Sequence, residues 1–190
     1  MNLVSVDGAV ELLVSGAIIG IPTDTVYGLG VDPGNRLAID RLYVLKGRPV
    51  DKPIGLLAHV PEALDGWATM PDWAVEMTER YWPGPLTLVC QSGPLLPEGI
   101  GDPVRHTVGV RVPNHDVALT LLERTGPLAV TSANLSGQPE ECHSHESAHV
   151  LLGSAIEGYL KGQAVIGLAS TVLDVTGPEP VVLRPGPVAP

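Results

Sequence analysis

Ala17-Ile18-Ile19-Gly20-Ile21-Pro22-Thr23-Asp24-Thr25-Val26-Tyr27-Gly28-Leu29-Gly30 is the stretch on which the fold turns. Ala17 to Ile21 form a short, continuous apolar run, the pattern of a buried strand. Pro22 ends the run. Two hydroxyls, a carboxylate and a phenol follow directly. In open α/β sheets, ligands bind just past the C-terminal ends of such strands. The same residues also suit an ordinary turn, with Asp and Gly serving the backbone.

On either side the pattern alternates between helix and strand. Val6, Ala9, Val10, Leu13 and Val14 recur at helical spacing, and Gly16 is a stop. Asn35 or Gly34 caps a helix over 36–46, with Leu37, Ile39, Leu42, Val44 and Leu45 as its apolar face. Ile54–Ala58 reads as a strand, and Pro61 starts a short helix. Pro71-Asp72 opens a helix to about Tyr81, which Trp82-Pro83-Gly84-Pro85 breaks. Leu86–Cys90, Thr107–Pro113 and Gly126–Val130 read as strands, with a helix from Asn114 or Asp116 through Arg124. Residues 171–175 and 181–184 make two more strands around a Gly-Pro turn. No repeat or linker interrupts the series. The expectation is one α/β domain over residues 1–190, with a mixed, twisted sheet and helices packed around it.

Length and composition agree. A chain of 190 residues with 44% hydrophobic content buries a core, and the absence of Phe leaves that core to Val, Leu, Ile and Ala. The net charge of -10 argues against a general nucleic-acid or anionic-membrane binder, since such binding needs a basic face. Cys90 and Cys142 are too few for a disulfide framework or a zinc ribbon. The N-terminus lacks a signal-peptide pattern, and no run approaches a membrane span, so a cytoplasmic protein is expected.

Three further segments carry chemistry. Lys46-Gly47-Arg48-Pro49-Val50-Asp51-Lys52 puts three cations within seven residues of an acidic chain. Pro49 places them at a helix exit. They serve either an anion-binding loop or the negative end of the helix dipole. Arg111 sits mid-strand, on the face opposite Val108, Val110 and Val112, which suits a lined site. Thr131-Ser132-Ala133-Asn134-Leu135-Ser136-Gly137 gathers polar groups past a strand end, as 23–27 does. The loop over 91–106 is long enough for a lid or binding loop. Cys90 reads as an apolar filler. His145 and His149 are four apart, but the spacing fits a polar loop entering a helix better than a metal site.

In this order, Pro22–Gly30, Lys46-Gly47-Arg48-Pro49, Trp82-Pro83-Gly84-Pro85-Leu86-Thr87, Val110-Arg111-Val112-Pro113, Ser132-Ala133-Asn134-Leu135-Ser136-Gly137, Ser170-Thr171-Val172 and Leu183-Arg184-Pro185-Gly186 resemble the YrdC/Sua5 family. The likeness covers nearly the whole chain and the short form of the family, without its C-terminal Sua5 domain. It implies a concave cationic cleft. It also implies a nucleotidyltransferase that makes L-threonylcarbamoyl-AMP from L-threonine, bicarbonate or CO2, and ATP, releasing pyrophosphate, for the t6A modification of tRNA. By motif position it implies Lys46 and Arg48 as catalytic residues. Lys46, Arg48, Lys52, Thr107, Ser132, Asn134 and Arg184 would contact ATP; Thr25, Arg111 and Ser170 would contact threonine. Mg2+ would accompany ATP, with no metal held by the protein itself. tRNA or proteins of the t6A pathway are candidate partners, with no membrane. Leu57 stands where some relatives carry a threonine-contacting His, and Glu140 where some have a nucleotide-contacting Ser. Two other readings stay open: an RNA-binding module of this fold, and a carbamoyl-adenylate-handling domain like that of hydrogenase maturation factors.

Overall fold

The computed structural model describes residues 1–47, 49, 52–135 and 142–189. The chain opens with β1 (Leu3–Val4), α1 (Val6–Val14), β2 (Ile19–Ile21), β3 (Gly28–Val31) and α2 (Arg36–Lys46). Then come β4 (Gly55–Leu57), a 3-10 turn, β5 (Ala68–Thr69), α3 (Asp72–Tyr81), β6 (Leu86–Ser92) and β7 (Thr107–Arg111). The last third holds α4 (Asp116–Thr125), β8 (Leu128–Ser132), α5 (His145–Leu152), β9 (Gly158–Leu160), β10 (Thr171–Asp174) and β11 (Val181–Arg184). All the strands belong to one twisted sheet in the order β1-β9-β2-β3-β8-β4-β7-β6-β10-β11, with β5 beside β6. The sheet is mixed: β2–β9, β4–β7 and β6–β10 are parallel, while β2–β3, β3–β8 and β6–β7 are antiparallel.

Local signals place the helices. Ser5 caps α1 by accepting from the Gly8 amide, and Asn35 caps α2 by accepting from the Ala38 amide. Gly47 closes α2 in the left-handed region at φ 55°. Its apolar face is narrower than the sequence suggests. Ala38, Ile39 and Leu42 are buried, whereas Leu37 and Val44 are 76% and 82% exposed. The α4 cap falls on His115, between the expected Asn114 and Asp116, and its side chain makes no capping bond.

The sheet departs from expectation at β3. Residues 22–27, read as a segment past a strand end or an ordinary turn, are the tip of a β2–β3 hairpin, with Ile21 opposite Gly28. Gly28 and Gly30 hid this strand, because Gly is depleted in strands. Here packing demands it: a Cβ at Gly30 would lie 2.4 Å from Ile21 Cδ1. β1, β5 and β9 are only two or three residues long, too short for a period to show.

Alternation along the strands sorts the two faces. Leu29, Leu56, Leu88, Val108 and Val110 face one core with α2, α3 and α5 residues. Ile19, Ile21, Leu57, Leu128 and Leu160 face the other, under α1 and α4. Further along this second face, toward β7 and β6, the sheet carries Gly55, Gly109, Arg111 and Thr87 around a cavity.

Candidate functional site

The cavity holds about 220 Å³. Its floor is nearly bare backbone: Gly28 of β3, Gly55 of β4 and Gly109 of β7 all line it. A Cβ at Gly55 would sit 2.6 Å from the Gly109 carbonyl oxygen, so these strands meet only because a side chain is missing. Around the floor stand Thr23, Thr25, Thr87, Ser132 and Ser170, with Arg111 and Arg184.

Arg111 ends β7 and is 6% exposed. Its Nε donates to the Gly84 carbonyl at 2.9 Å and its Nη1 to Thr25 Oγ1 at 2.8 Å. Its Nη2 donates to Asp24 Oδ1 in a buried ion pair. Burial pushes the guanidinium pKa down, Asp24 opposes this, and the like charge of Arg184 adds to the downward push. The group nonetheless stays charged in a protein. A guanidinium has five N–H groups, so donor capacity is left for a ligand carboxylate. Asp24 Oδ2 is buried without a hydrogen-bond partner among the described residues.

Across the cavity, Arg184 of β11 reaches back to Ser170. Its Nε and Nη2 donate to the Ser170 carbonyl at 3.0 and 2.9 Å, and Nη2 donates to Ser170 Oγ at 3.1 Å. Thr87 Oγ1 lies 2.8 Å from the same hydroxyl.

Lys46, at the end of α2, is 2% exposed. Its ammonium donates to the carbonyls of Ser132 and Asn134, the latter at 2.6 Å, and to Asn134 Oδ1 at 3.3 Å. Ser132 Oγ donates to Asn134 Oδ1. The Lys46 and Ser132–Asn134 segments, distant in sequence, are therefore joined, and Ser132 carries the cluster to the cavity wall.

Thr25, Ser132, Arg111, Ser170 and Arg184 thus surround one cavity, with Lys46 and Asn134 bonded at its edge. Lys52 is exposed beyond the helix exit, where its amide donates to the Pro49 carbonyl. Thr107 shares a strand face with Gly109 and Arg111 but lies at the far end of β7, bonded through its backbone to Asp102, and is not in the lining. Arg48 and Glu140 lie outside the described residues. Leu57 lines the cavity.

Sequence reasoning missed Asp24 as the partner of Arg111 and Thr87 as the partner of Ser170. Thr87 had a signal, since it ends the Trp-Pro-Gly-Pro-Leu-Thr motif; Asp24 showed only its place between two threonines. The histidine-rich stretch is a helix start. Ser144 and Ser147 form a capping box, His145 Nδ1 lies 3.0 Å from the Gly162 carbonyl, and His149 packs edge-on to Tyr159. Among the described residues, no three His, Cys, Asp or Glu side chains cluster to hold a metal ion. Cys90 is fully buried, and burial pushes its thiol up to about 12, so it is an inert filler. No helix among the described residues is long and apolar enough to cross a membrane.

Known proteins share this sequence pattern and this fold. The family model Sua5_yciO_yrdC, described as Telomere recombination, matches residues 11–186. A protein of Mycobacterium tuberculosis H37Rv is 41% identical over 99% of this chain and 85% of its own length. The threonylcarbamoyl-AMP synthase of Bacillus subtilis is 39% identical over 94% of this chain, which spans 52% of that relative. The structure of Pyrococcus abyssi Sua5 complexed with L-threonine superposes with a TM-score of 0.90 at 38% identity, covering 95% of this chain and 54% of Sua5. Escherichia coli YciO superposes with a TM-score of 0.88 at 27% identity, over 95% of this chain and 88% of YciO. Full-length HypF shares the fold, with a TM-score of 0.83 at 20% identity over 29% of its length. On sequence, fold and the order of its motifs, the chain belongs to the Sua5/YciO/YrdC family.

Proposed function

We propose that this protein is an L-threonylcarbamoyladenylate synthase, a nucleotidyltransferase acting in the t6A modification of tRNA. The observation that carries the reading is the convergence of Thr25, Arg111, Ser170 and Arg184 on one cavity beside the Lys46–Ser132–Asn134 cluster. Relatives named threonylcarbamoyl-AMP synthase, and one solved with L-threonine, support it.

Arg111 receives the amino-acid carboxylate, with the Thr25 and Ser170 hydroxyls beside it. Lys46, Arg48, Lys52, Ser132, Asn134 and Arg184 hold the nucleotide, and Thr107 is assigned to it by motif position alone. These cations would make the cleft attractive to a triphosphate within an otherwise acidic chain. The threonine amine adds to CO2 and loses one proton, or adds to bicarbonate and loses water. A carbamate oxygen then bonds to the α-phosphorus of ATP as the bond to the β-phosphate bridge breaks, and pyrophosphate leaves. No protein nucleophile is required. The work of the site is positioning and charge stabilisation, with Lys46 and Arg48 placed at the phosphates. The described lining residues include no carboxylate, so Mg2+ would arrive on the ATP phosphates and not in a protein cage. The cytoplasm, where tRNA is modified, is the expected compartment.

The test is pyrophosphate release from ATP and bicarbonate with L-threonine, L-serine, glycine or no amino acid, alongside carbamoyl phosphate. Threonine-dependent release is expected. Release with carbamoyl phosphate in place of threonine would move the protein toward the HypF-type activity. Salt-sensitive tRNA binding without any release would favour an RNA-binding role.

A further inference from the structure

The bond between Thr87 and Ser170 has no part in the assignments above, although both residues line the cavity. A serine hydroxyl has one proton and two lone pairs. Arg184 occupies one lone pair of Ser170 Oγ, because a guanidinium only donates. Two arrangements of the remaining groups are then open. Ser170 can give its proton to Thr87 and turn only a lone pair to the cavity. Alternatively, Thr87 gives its proton to Ser170. Both lone pairs of Ser170 are then filled, and its proton can go only to whatever occupies the cavity. An anionic ligand has no proton to offer and selects the second arrangement. Thr87 Oγ1 makes no other hydrogen bond among the described residues, so nothing competes for its proton.

We propose that Thr87 is a positioning residue that makes Ser170 an obligate hydrogen-bond donor to an anionic oxygen of the amino-acid substrate. This rests on the reading of the cavity as the L-threonine site. Thr87 acts through Ser170 and need not touch the substrate. The chain Thr87 to Ser170 to ligand is aligned in one direction, and Arg184 polarises its middle member.

The experiment compares Thr87→Val, Thr87→Ser, Ser170→Ala and the Thr87→Val/Ser170→Ala double variant. Each is titrated calorimetrically with L-threonine and assayed for pyrophosphate release. Thr87→Val keeps the shape and removes the hydroxyl. It should weaken L-threonine binding roughly 3- to 10-fold, the worth of one neutral hydrogen bond. The KM for threonine should rise by the same factor, with kcat and the KM for ATP within about twofold of wild type. Thr87→Ser should restore binding. In the Ser170→Ala background, Thr87→Val should add less than about twofold, because the relay is already cut. Wild-type affinity in Thr87→Val would overturn the inference, and so would an equal loss in both backgrounds, which marks a merely structural role. Should Thr87→Val fail to fold by circular dichroism, Thr87→Ala against Thr87→Ser carries the test, and equal affinities would overturn it. Wild-type protein that neither binds L-threonine nor releases pyrophosphate would remove the underlying reading and this inference together. Binding by wild type with additive variants would remove the inference alone.

Discussion

Replacing Asp24 by Ala leaves the charge of Arg111 largely buried without its opposite charge. The two residues are 3% and 6% exposed, and the pair is direct. With Asp24 gone, Arg111 keeps the Gly84 carbonyl and the Thr25 hydroxyl but has no opposite charge. Two unit charges about 4 Å apart interact by roughly 4 kcal/mol at an effective dielectric near 20. Breaking buried pairs by removing one partner costs about 3–5 kcal/mol, which agrees. Against a total stability of about 5–15 kcal/mol, that is a large fraction. With a urea slope of ~2 kcal/mol per molar, the unfolding midpoint should fall by roughly 2 M. Equilibrium urea unfolding followed by the fluorescence of Trp67, Trp73 and Trp82 measures it. The double variant Asp24→Leu/Arg111→Met should recover much of the loss, because an apolar replacement of a buried pair is often neutral. A shift in Asp24→Ala below about 0.5 M at unchanged slope would refute the reasoning, since it would mean that water screens Arg111.

Three other outcomes are expected. Gly109→Val should abolish substrate binding and leave the fold intact, because a Cβ there meets only Thr87 Cγ2 at 3.3 Å while the rest of the side chain enters the cavity; a variant that binds L-threonine normally would contradict this placement of the floor. Gly47→Ala should lower stability by about 1 kcal/mol from left-handed strain alone, since nothing lies within 4 Å of the added Cβ, and a urea midpoint equal to wild type would count against it. Burial pushes the Asp174 carboxyl pKa up, but bonds from Thr176 and the Arg105 ion pair outweigh it and hold the group below its ordinary value. Its contribution to stability is therefore present above the unfolded value of about 3.9 and is lost as pH falls through the lower folded value. The stability gap between wild type and Asp174→Asn should close below about pH 4, and a gap unchanged down to about pH 3 would show that Asp174 does not titrate in this way.

Much of the molecule is legible locally. Asn35 announces a helix start, Gly16, Pro49 and Trp82-Pro83 announce helix ends, and the period of two in Val108, Val110 and Val112 separates the core from Arg111. These signals depend on hydrogen bonds and sterics within a few residues, so the chain carries them by itself. The family motifs are equally a property of the sequence; of the residues they single out, Thr25, Arg111, Ser132, Ser170 and Arg184 line one cavity, while Lys52 and Thr107 lie away from it. Strand β3 was hidden because Gly28 and Gly30 are chosen for Ile21 and for the neighbouring strand β8, contacts that no local pattern encodes. Asp24 could not be assigned to Arg111, 87 residues away, nor Thr87 to Ser170, 83 residues away. Sequence by itself determined the helices and the longer strands, the fold class and the family. The tertiary structure decided which polar groups share a wall, which charge neutralises which, and where glycines leave a floor without side chains. Those decisions rest on strand order and register, set by packing the whole sheet at once.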